Sequence, residues 1–436
     1  MTSDALPQAT AVRPRSLWFN SAYILLMSGK TTQIIGAGLA SFAVPLIAFS
    51  ITGSVVAAGL VATVGELGYL VATLPAGVIA DRVDRRRLLV VCSVIGVVLW
   101  ASLAVAAMMS VLSVWHLGAV VFGSAIIGSF YTPAESAGIQ QVVPTEQLGS
   151  AMAAMEGRSA VASLVAGPIG GILYGFSRTW PLVASVVGYA IAGICTALVR
   201  RPLNGDLSHT RASSAVSALA EGIRFVRHVS FLRTGIVIFA LLNLGFAGML
   251  YALNLHLVST HVQPLLIGLV NAVAGGAMVI GAILAGPLVK RFPSGPLSIA
   301  CLGVAVVGIV GLAATTTYVF YLVWMAVATI LIPPLNAGLL GYSIAVTPAE
   351  LQGRMNSVLA LSSVAVSPIA PIVASALLGP LGVNLTMTLF AIILLVGVVM
   401  MAANRSLRRI GKPDTWEADR IVWPRVGDEA PVDNVG

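Results

Sequence analysis

Residues 76–82 read Ala-Gly-Val-Ile-Ala-Asp-Arg, and residues 285–291 read Ala-Gly-Pro-Leu-Val-Lys-Arg. Each stretch ends an apolar segment long enough to cross a bilayer, which takes about 20 residues. A second matched pair, at 144–149 and 348–353, begins with Pro and contains Glu, Gln, Leu and Gly each time. From 76 to 285 and from 144 to 348 the offsets are 209 and 204 residues. These matches indicate an internal repeat of two parallel halves about an axis normal to the membrane.

The chain is too apolar to be a soluble protein. Hydrophobic residues make up 58% of its 436 residues and charged residues only 9%, whereas soluble domains carry about 25% charged residues. Gly, Pro and charged residues divide the chain into apolar segments, which predicts an all-α polytopic membrane protein with twelve spans. The predicted spans cover residues 21–50, 55–80, 88–109, 115–140, 148–176, 180–200, 231–258, 264–289, 296–315, 318–345, 354–379 and 382–403.

Lys and Arg residues are concentrated on one side of these spans. The connections on that side and both tails carry nearly all of them, whereas the opposite connections hold Arg178. The positive-inside rule therefore places both tails and the central loop in the cytoplasm. The predicted organisation is a cytoplasmic tail at 1–17, a six-helix half at 18–201, a central loop with an interfacial helix at 202–230, a second six-helix half at 231–403, and a disordered cytoplasmic tail at 404–436.

The charge balance does not indicate nucleic-acid binding. The net charge of +8 comes from loops and tails, without a basic stripe or an aromatic platform for bases. The three cysteines lie inside apolar spans and the five histidines are scattered, so neither a disulfide framework nor a zinc site is predicted. The stretch Ser28–Thr31 ends like a phosphate-binding loop but lacks its first Gly and lies within a span. We expect no metal, no cofactor and no enzyme activity.

The stretch from Gly77 to Arg87 resembles the signature Gly-x-x-x-Asp-Arg-x-Gly-Arg-Arg of the major facilitator superfamily, with Asp84 where Gly is usual. With this variant, the chain is similar to the branch that holds enterobactin-type siderophore exporters and macrolide efflux pumps. Three further stretches carry the same resemblance: Pro45–Ser54, Tyr131–Ala134 and Glu221–Arg227.

This resemblance implies the major facilitator fold, with twelve transmembrane helices in two six-helix pseudo-repeats. It also implies a multidrug-type antiporter that couples proton entry to the export of amphipathic small molecules, such as drugs, macrolides or siderophore-like compounds, by alternating access. The expected partners are that substrate, protons and the lipid bilayer, and the expected state is a monomer in the plasma (inner) membrane. An importer, a lipid flippase of the same fold, and a passive facilitator remain alternatives.

By the same resemblance, the motif after span 2 latches the two halves together. Asp81 and Arg85 would bind near Arg354 at the start of span 11, and Glu135 at the end of span 4 would accept from Arg82 or Arg85. Such pairs would stabilise the outward-open state. The residues assigned to the latch are Gly77, Asp81, Arg82, Asp84, Arg85, Arg86, Glu135 and Arg354.

Span 5 carries a shortened antiporter signature. The family pattern is Gly-Pro-x-x-Gly-Gly, and this chain has Gly167, Pro168, Gly170 and Gly171 with one residue fewer between them. We expect these residues to pack helices closely.

Charged residues inside the spans are the main functional candidates, because each costs about 2.5–3.5 kcal/mol at the bilayer centre. Glu66 lies near the middle of span 2, on one helix face with Thr63, Tyr69 and Thr73. A carboxyl in a poorly hydrated cavity can bind and release a proton, so Glu66 is the first candidate for proton coupling or for recognition of a cationic substrate. The alternative is a structural ion pair with Lys30 on span 1.

Three more charged residues lie within the first half. Lys30 shares a helix face with Gln33, and it either lines the cavity or extends to the cytoplasmic surface. Glu156 and Arg158 point about 200° apart on span 5, so at most one of them lines the cavity. A polar stripe with Ser159 favours Glu156, and Arg158 is expected to pair with a neighbour or reach the interface.

The spans of the second half contain almost no charge. Asn243 and Asn254 share a face of span 7, and Pro333-Pro334 interrupts span 10, which is tolerated only against protein or a cavity. An uncharged half-cavity favours a mostly apolar substrate. The predicted cavity residues are Glu66, Lys30, Glu156, Arg158, Tyr69, Gln33, Asn243 and Asn254.

Overall fold

The computed structural model describes residues 17–204 and 230–419. All long elements in these two ranges are α-helices, and neither range contains a strand. The interfacial helix predicted for the central loop lies outside the described residues. The helices are α1 (Ser21–Thr52), α2 (Val55–Arg82), α3 (Arg85–Met108), α4 (Val114–Val142), α5 (Leu148–Phe176), α6 (Trp180–Leu198), α7 (Ser230–Ser259), α8 (Pro264–Arg291), α9 (Ser294–Ala314), α10 (Tyr318–Thr329), α11 (Ile332–Val346), α12 (Ala349–Val366), α13 (Ile369–Ala403) and α14 (Arg405–Arg408).

Short polar residues between the apolar segments set where the first helices begin. Asn20, Ser54, Asp84 and Ser113 each occupy the position before a helix, and each side chain accepts a hydrogen bond from a backbone N–H in the first turn. Such caps satisfy amide groups that the helix itself leaves without a partner. The caps explain why the helices start within a few residues of the predicted spans.

Two helices of the second half are broken near their middle. Span 10 consists of α10 and α11, separated at Ile330–Leu331, and span 11 is interrupted at Ser367–Pro368 between α12 and α13. Eleven stretches of the described chain are long and apolar enough to cross a membrane, and the last of them, Val358–Ala403, has 46 residues. Its length of about 69 Å is more than twice the hydrocarbon thickness. Gly382, with φ of 71°, ends span 11 and starts span 12, so residues 17–204 and 230–419 make twelve crossings.

The helices form two six-span halves, each with its own apolar core. In the first half α1 packs on α6 and α2 on α4, and in the second half α7 and α9 pack on α13. Leu103 and Leu182 lie in the first core, and Ile309 and Phe390 in the second. The halves meet along two helix pairs, α5 with α8 and α2 with α13. We call these two contacts the seam.

The described ends of the chain lie on the same side of the bundle, because the number of crossings is even. We call this side the tail face and the opposite side the loop face. The tail beyond span 12 was expected to be disordered, but Pro413–Asp419 forms a 3-10 helix. Its Trp416 ring packs edge-on against Tyr342 of α11, with the centroids 6.0 Å apart. The Tyr342 hydroxyl also donates to Asp419 over 3.2 Å, so contacts with α11 accompany the helix in a segment whose composition predicted disorder.

Candidate functional site

The seam is tightly closed on the loop face. Gly167 of α5 lies so close to α8 that a Cβ there would be 2.8 Å from the Gly268 carbonyl oxygen. One turn further, a Cβ on Gly171 would be 2.5 Å from the Pro264 carbonyl oxygen. At the end of the seam, the Phe49 and His261 rings meet edge-on across the two halves, 5.9 Å apart. Close packing of glycine backbones therefore seals this side.

The same helices separate towards the tail face. Glu156 and Ala160 of α5 are exposed, as are Met278 and Ala282 of α8. Glu156 is eleven residues from Gly167, which on an α-helix returns to within about 20° of the same face. Glu156 therefore faces the opening between the halves, at a level where α8 does not cover α5. The structure is closed on the loop face and open on the tail face.

A cavity of about 460 Å³ lies mainly in the first half and reaches the second through Tyr251. Glu66 lines it, together with Gln33 of α1 and Tyr69 of α2, both of which were predicted cavity residues. Glu66 is partly buried and accepts two hydrogen bonds from the second half. The Tyr251 hydroxyl donates to Oε1 over 3.1 Å, and the Ser367 hydroxyl donates to Oε2 over 2.5 Å.

A second cavity, of about 570 Å³, is lined entirely by the second half. Its wall is made of Leu, Phe, Met, Ala and Ile side chains with a few neutral polar groups, and it contains no charged residue. Asn243, one of the predicted cavity residues, lines it and donates to the Ser363 hydroxyl over 3.1 Å. The break between α10 and α11 borders this cavity through Thr329 and Ile332. The arrangement suits an apolar molecule with few polar anchors.

A cluster of buried charges lies between α1, α4 and α5. Arg158 donates to Glu135 over 2.7 Å and 3.4 Å, and their side chains are 7% and 2% exposed. Lys30 is also buried, with its Nζ 4.3 Å from the centre of the Tyr131 ring. Cations are attracted to the face of an aromatic ring, more strongly when water is excluded. This cluster stabilises the inside of the first half and does not line either cavity.

The structure corrects several predicted pairings. Glu135 was expected to accept from Arg82 or Arg85 in the latch, but its burial in the helix core brings it to Arg158 instead. Arg158 has the neighbour that the sequence analysis expected, and so does not line the cavity. Lys30 neither pairs with Glu66 nor extends to the surface, because it is held inside by the Tyr131 ring.

The motif after span 2 binds the first half itself in its described contacts. Arg85 donates to the Leu203 carbonyl over 3.1 Å, and Asp84 accepts from Asn204 over 3.1 Å. Arg86 donates to the Ala197 carbonyl. Gly77 has open space beside it and Arg82 is exposed. The side chains of Asp81 and Arg354 lie outside the described part of the structure, so the latch stays a prediction.

The remaining predicted residues serve packing in this structure. Asn254 exchanges hydrogen bonds with Asn271 of α8, over 3.4 Å and 3.1 Å, and lines neither cavity. Gly170 packs against Phe42 of α1, and Pro168 lies inside α5. Among residues 17–204 and 230–419, no group of His, Cys, Asp or Glu side chains could hold a metal ion.

Sequence reasoning missed the two partners of Glu66. Tyr251 lies one turn before Asn254 on α7, among apolar neighbours, and nothing in its local pattern distinguishes it. Ser367 had a usable signal, because it precedes Pro368 in the middle of a predicted span. A residue before a proline is disfavoured in helical conformation, and such a break exposes polar groups inside the bilayer.

Comparison with known proteins decides the family. The model of the Major Facilitator Superfamily matches residues 26–347 and, in a second overlapping match, residues 258–427. The chain belongs to the Major Facilitator Superfamily. Family members and the relatives below are transporters, not enzymes. The predicted fold class is confirmed, as is the predicted membership of a transporter family.

Two relatives are named for efflux. Macrolide efflux protein A of Streptococcus pyogenes is 25% identical over 272 residues, which are 61% of this chain and 66% of that protein. The chain thus spans slightly less than two thirds of that relative. Multidrug efflux pump Tap of Mycobacterium tuberculosis is 27% identical over 414 residues, which are 91% of this chain and 97% of the pump.

Solved structures of this superfamily share the fold. A bacterial homologue of the human lysosomal transporter Spinster, in an inward-facing and unoccupied conformation, superposes with a TM-score of 0.70 at 16% identity, over 92% of this chain and 98% of that one. The nucleoside transporter NupG gives a TM-score of 0.66 at 12% identity, over 89% and 99%. At these identities the likeness shows the fold alone.

Proposed function

We propose that this member of the Major Facilitator Superfamily is a proton-coupled antiporter that exports amphipathic small molecules by alternating access. The observation that carries the proposal is the position of Glu66. It is a carboxylate in the wall of a 460 Å³ cavity, bonded across the seam to both Tyr251 and Ser367. A carboxyl group in this position would contact a substrate in the cavity, and it also lies at the seam, where the two halves must separate during transport.

The two cavities support an amphipathic substrate. The first-half cavity offers one carboxylate, an amide and aromatic rings, which suit a polar or cationic head. The second-half cavity offers only apolar and neutral groups, which suit an apolar body. The names of the two efflux relatives support drugs, macrolides and related compounds as the substrate class and support export as the direction.

The proposed orientation follows the distribution of Lys and Arg. The tail face would be cytoplasmic, with both termini inside the cell and the protein in the plasma (inner) membrane. The described structure would then be the inward-open state, ready to take substrate from the cytoplasm. The latch of Asp81 and Arg85 with the region of Arg354 would form only when the tail face closes. In this proposal the transporter works as a monomer.

A passive facilitator is the second candidate, and one feature favours it. On the loop face the seam is closed by the packing of Gly167 and Gly171 against α8. Closure by backbone packing requires no group that binds a proton. Such a protein would move substrate down its own gradient and would not respond to a pH gradient.

Transport by purified protein in liposomes separates these functions. A panel of fluorescent amphipathic cations and neutral macrolides is loaded on the side equivalent to the cytoplasm, and a pH gradient is imposed across the membrane. Antiport predicts movement against the substrate gradient, and the movement should stop when an ionophore collapses the pH gradient. Transport that runs only downhill and ignores the ionophore would support the facilitator and reject the proposal.

A further inference from the structure

Glu66 joins the two halves of the molecule. Two side-chain hydrogen bonds cross from the second half to the first and end on Glu66. One donor is Tyr251 of α7, at 3.1 Å. The other is Ser367, at 2.5 Å. The two donors use different carboxylate oxygens, so both oxygens of Glu66 are held from the far side of the seam.

Ser367 lies at the break of span 11. The α12 helix ends at Val366 and α13 begins at Ile369, with Ser367 and Pro368 between them. Pro368 and Pro371 have no backbone N–H, so two helical hydrogen bonds are missing at this level. A helix interrupted in this way bends more easily than a continuous one. Glu66 is therefore attached to a break in the second half, where bending costs less than in a continuous helix.

We propose that Tyr251 and Ser367 are positioning residues that make closure of the loop face depend on the proton state of Glu66. This inference rests on the proposed role of Glu66 in proton coupling. The two hydroxyls hold the carboxylate form of Glu66 in the loop-closed state. A proton on Glu66 weakens this bridge and favours the loop-open state.

The hydrogen-bonding capacity of the groups gives the physical reason. A carboxylate accepts from both hydroxyls at once, whereas a protonated carboxyl must use one oxygen as a donor. Hydrogen bonds to a charged acceptor are about twice as strong as neutral ones. The closed loop face and the charged form of Glu66 therefore stabilise each other. Proton release is then expected in the tail-open state, and proton uptake in the loop-open state, as antiport requires.

The other polar groups around Glu66 are amide, hydroxyl and phenol side chains. The cavity wall contributes Gln33 and Ser41 from α1, Ser124 from α4, and the phenols of Tyr69, Tyr189 and Tyr251. No Lys, Arg, His or Asp belongs to the described lining. The three described histidines of the loop side lie elsewhere: His261 packs against Phe49, His256 packs against Tyr321, and His116 is hydrogen-bonded to Ser102 over 3.0 Å. A pH response of the seam is therefore assigned to Glu66.

Distance measurements between spin labels on the loop face test the inference. The full chain, with Cys92, Cys195 and Cys301 replaced by Ser, carries labels at Met109→Cys and Thr316→Cys, which are exposed on opposite halves. In lipid nanodiscs, the long-distance population should increase as the pH is lowered from 8 to 5. The double variant Tyr251→Phe/Ser367→Ala should raise that population at pH 8 by about tenfold or more, given the strength of hydrogen bonds to charged groups. Its pH response should be largely lost.

Matched variants exclude a general structural effect. Ser375→Ala removes a hydroxyl on the same seam that bonds to the Ile372 carbonyl instead of Glu66, and Tyr318→Phe removes a phenol that bonds within the second half. Both should keep the wild-type response, as should His261→Asn. Ser367→Thr retains the hydroxyl and should also behave as wild type. These variants should elute as folded monodisperse protein, as the double variant should.

Two outcomes distinguish the positioning role of Tyr251 and Ser367 from the proton-coupling role of Glu66. If the double variant keeps the wild-type pH response while Glu66→Gln loses it, the roles of Tyr251 and Ser367 are wrong and that of Glu66 survives. If Glu66→Gln also keeps the response, the proton role of Glu66 is wrong as well.

Discussion

The two halves repeat the same fold but differ in what their interiors contain. The spans of the first half enclose Lys30, Glu66, Glu135 and Arg158 and run without a break. The described spans of the second half carry charge only near their tail-face ends, and spans 10 and 11 are each split into two helices. The 570 Å³ cavity that they line contains no charged residue.

This difference shows how one repeat can divide two tasks. Buried charges need fixed partners, so the half that holds them gains from continuous helices. In the proposed transport cycle the broken helices would bend, and the apolar cavity would accept different substrates because apolar contact requires no specific geometry. Glu66 connects the two halves. It lies in the half that contains the buried charges, and it is hydrogen-bonded to the half with the broken helices.

The largest effect is expected from Glu135→Ala in the charged half. The change leaves Arg158 buried without its carboxylate and close to the buried Lys30. Breaking a buried ion pair typically costs about 3–5 kcal/mol, so the free energy of unfolding in detergent should fall by about that amount. Thermal unfolding followed by circular dichroism would measure it. Glu156→Ala, on the exposed face of α5, is the control and should change stability by less than about 0.5 kcal/mol. Equal losses in both variants would contradict the contrast between buried and exposed charges.

A smaller effect is expected at the seam between the halves. In Gly171→Ala the new Cβ would be 2.5 Å from the Pro264 carbonyl oxygen, so the loop face could close only after a backbone shift. Overpacking of this kind costs about 1–3 kcal/mol, and the equilibrium should move towards the loop-open state by about tenfold or more. The distance between spin labels at Met109→Cys and Thr316→Cys on the loop face would report the opening.

Gly175, one turn further along α5, is the matched control for that change. An added Cβ there meets nothing within 4 Å, so Gly175→Ala should keep the wild-type distance distribution between the two labels. If both alanine variants give the same distribution, the glycine contact does not determine closure.

The smallest effect is expected in the uncharged half. Asn271→Ala removes the mutual hydrogen bonds with Asn254. Such contacts between membrane helices are worth about 0.6 kcal/mol on average. A double-mutant cycle of Asn254→Ala and Asn271→Ala, measured by the same thermal unfolding, should return a coupling near that value. A coupling as large as the cost of Glu135→Ala would remove the energetic difference between the halves.

Local patterns were sufficient to predict the helices. Apolar length, the capping residues Asn20, Ser54 and Asp84, and the breaks at Pro and Gly are all properties of neighbouring residues. The repeat of 76–82 at 285–291 also gave the two-half arrangement, because it needs only a comparison of the chain with itself.

Pairings between distant residues could not be predicted in the same way. Glu135 and Arg158 are 23 residues apart, and Glu66 and Ser367 are 301 apart. Which of several charged residues meet depends on how the helices rotate as they pack. Glu135 looked accessible because it lies near the end of a span, yet the rotation of α4 turns it inward to Arg158.

Uphill transport by Glu66→Gln in liposomes tests most directly whether Glu66 couples proton movement to export. Gln keeps the shape of the side chain but cannot release a proton. With a pH gradient imposed, the variant should fail to move substrate against its gradient, yet it should still exchange labelled for unlabelled substrate, because exchange needs alternation without net proton transfer. Uphill transport at the wild-type rate by Glu66→Gln would contradict the claim and leave Glu156 as the candidate for proton coupling.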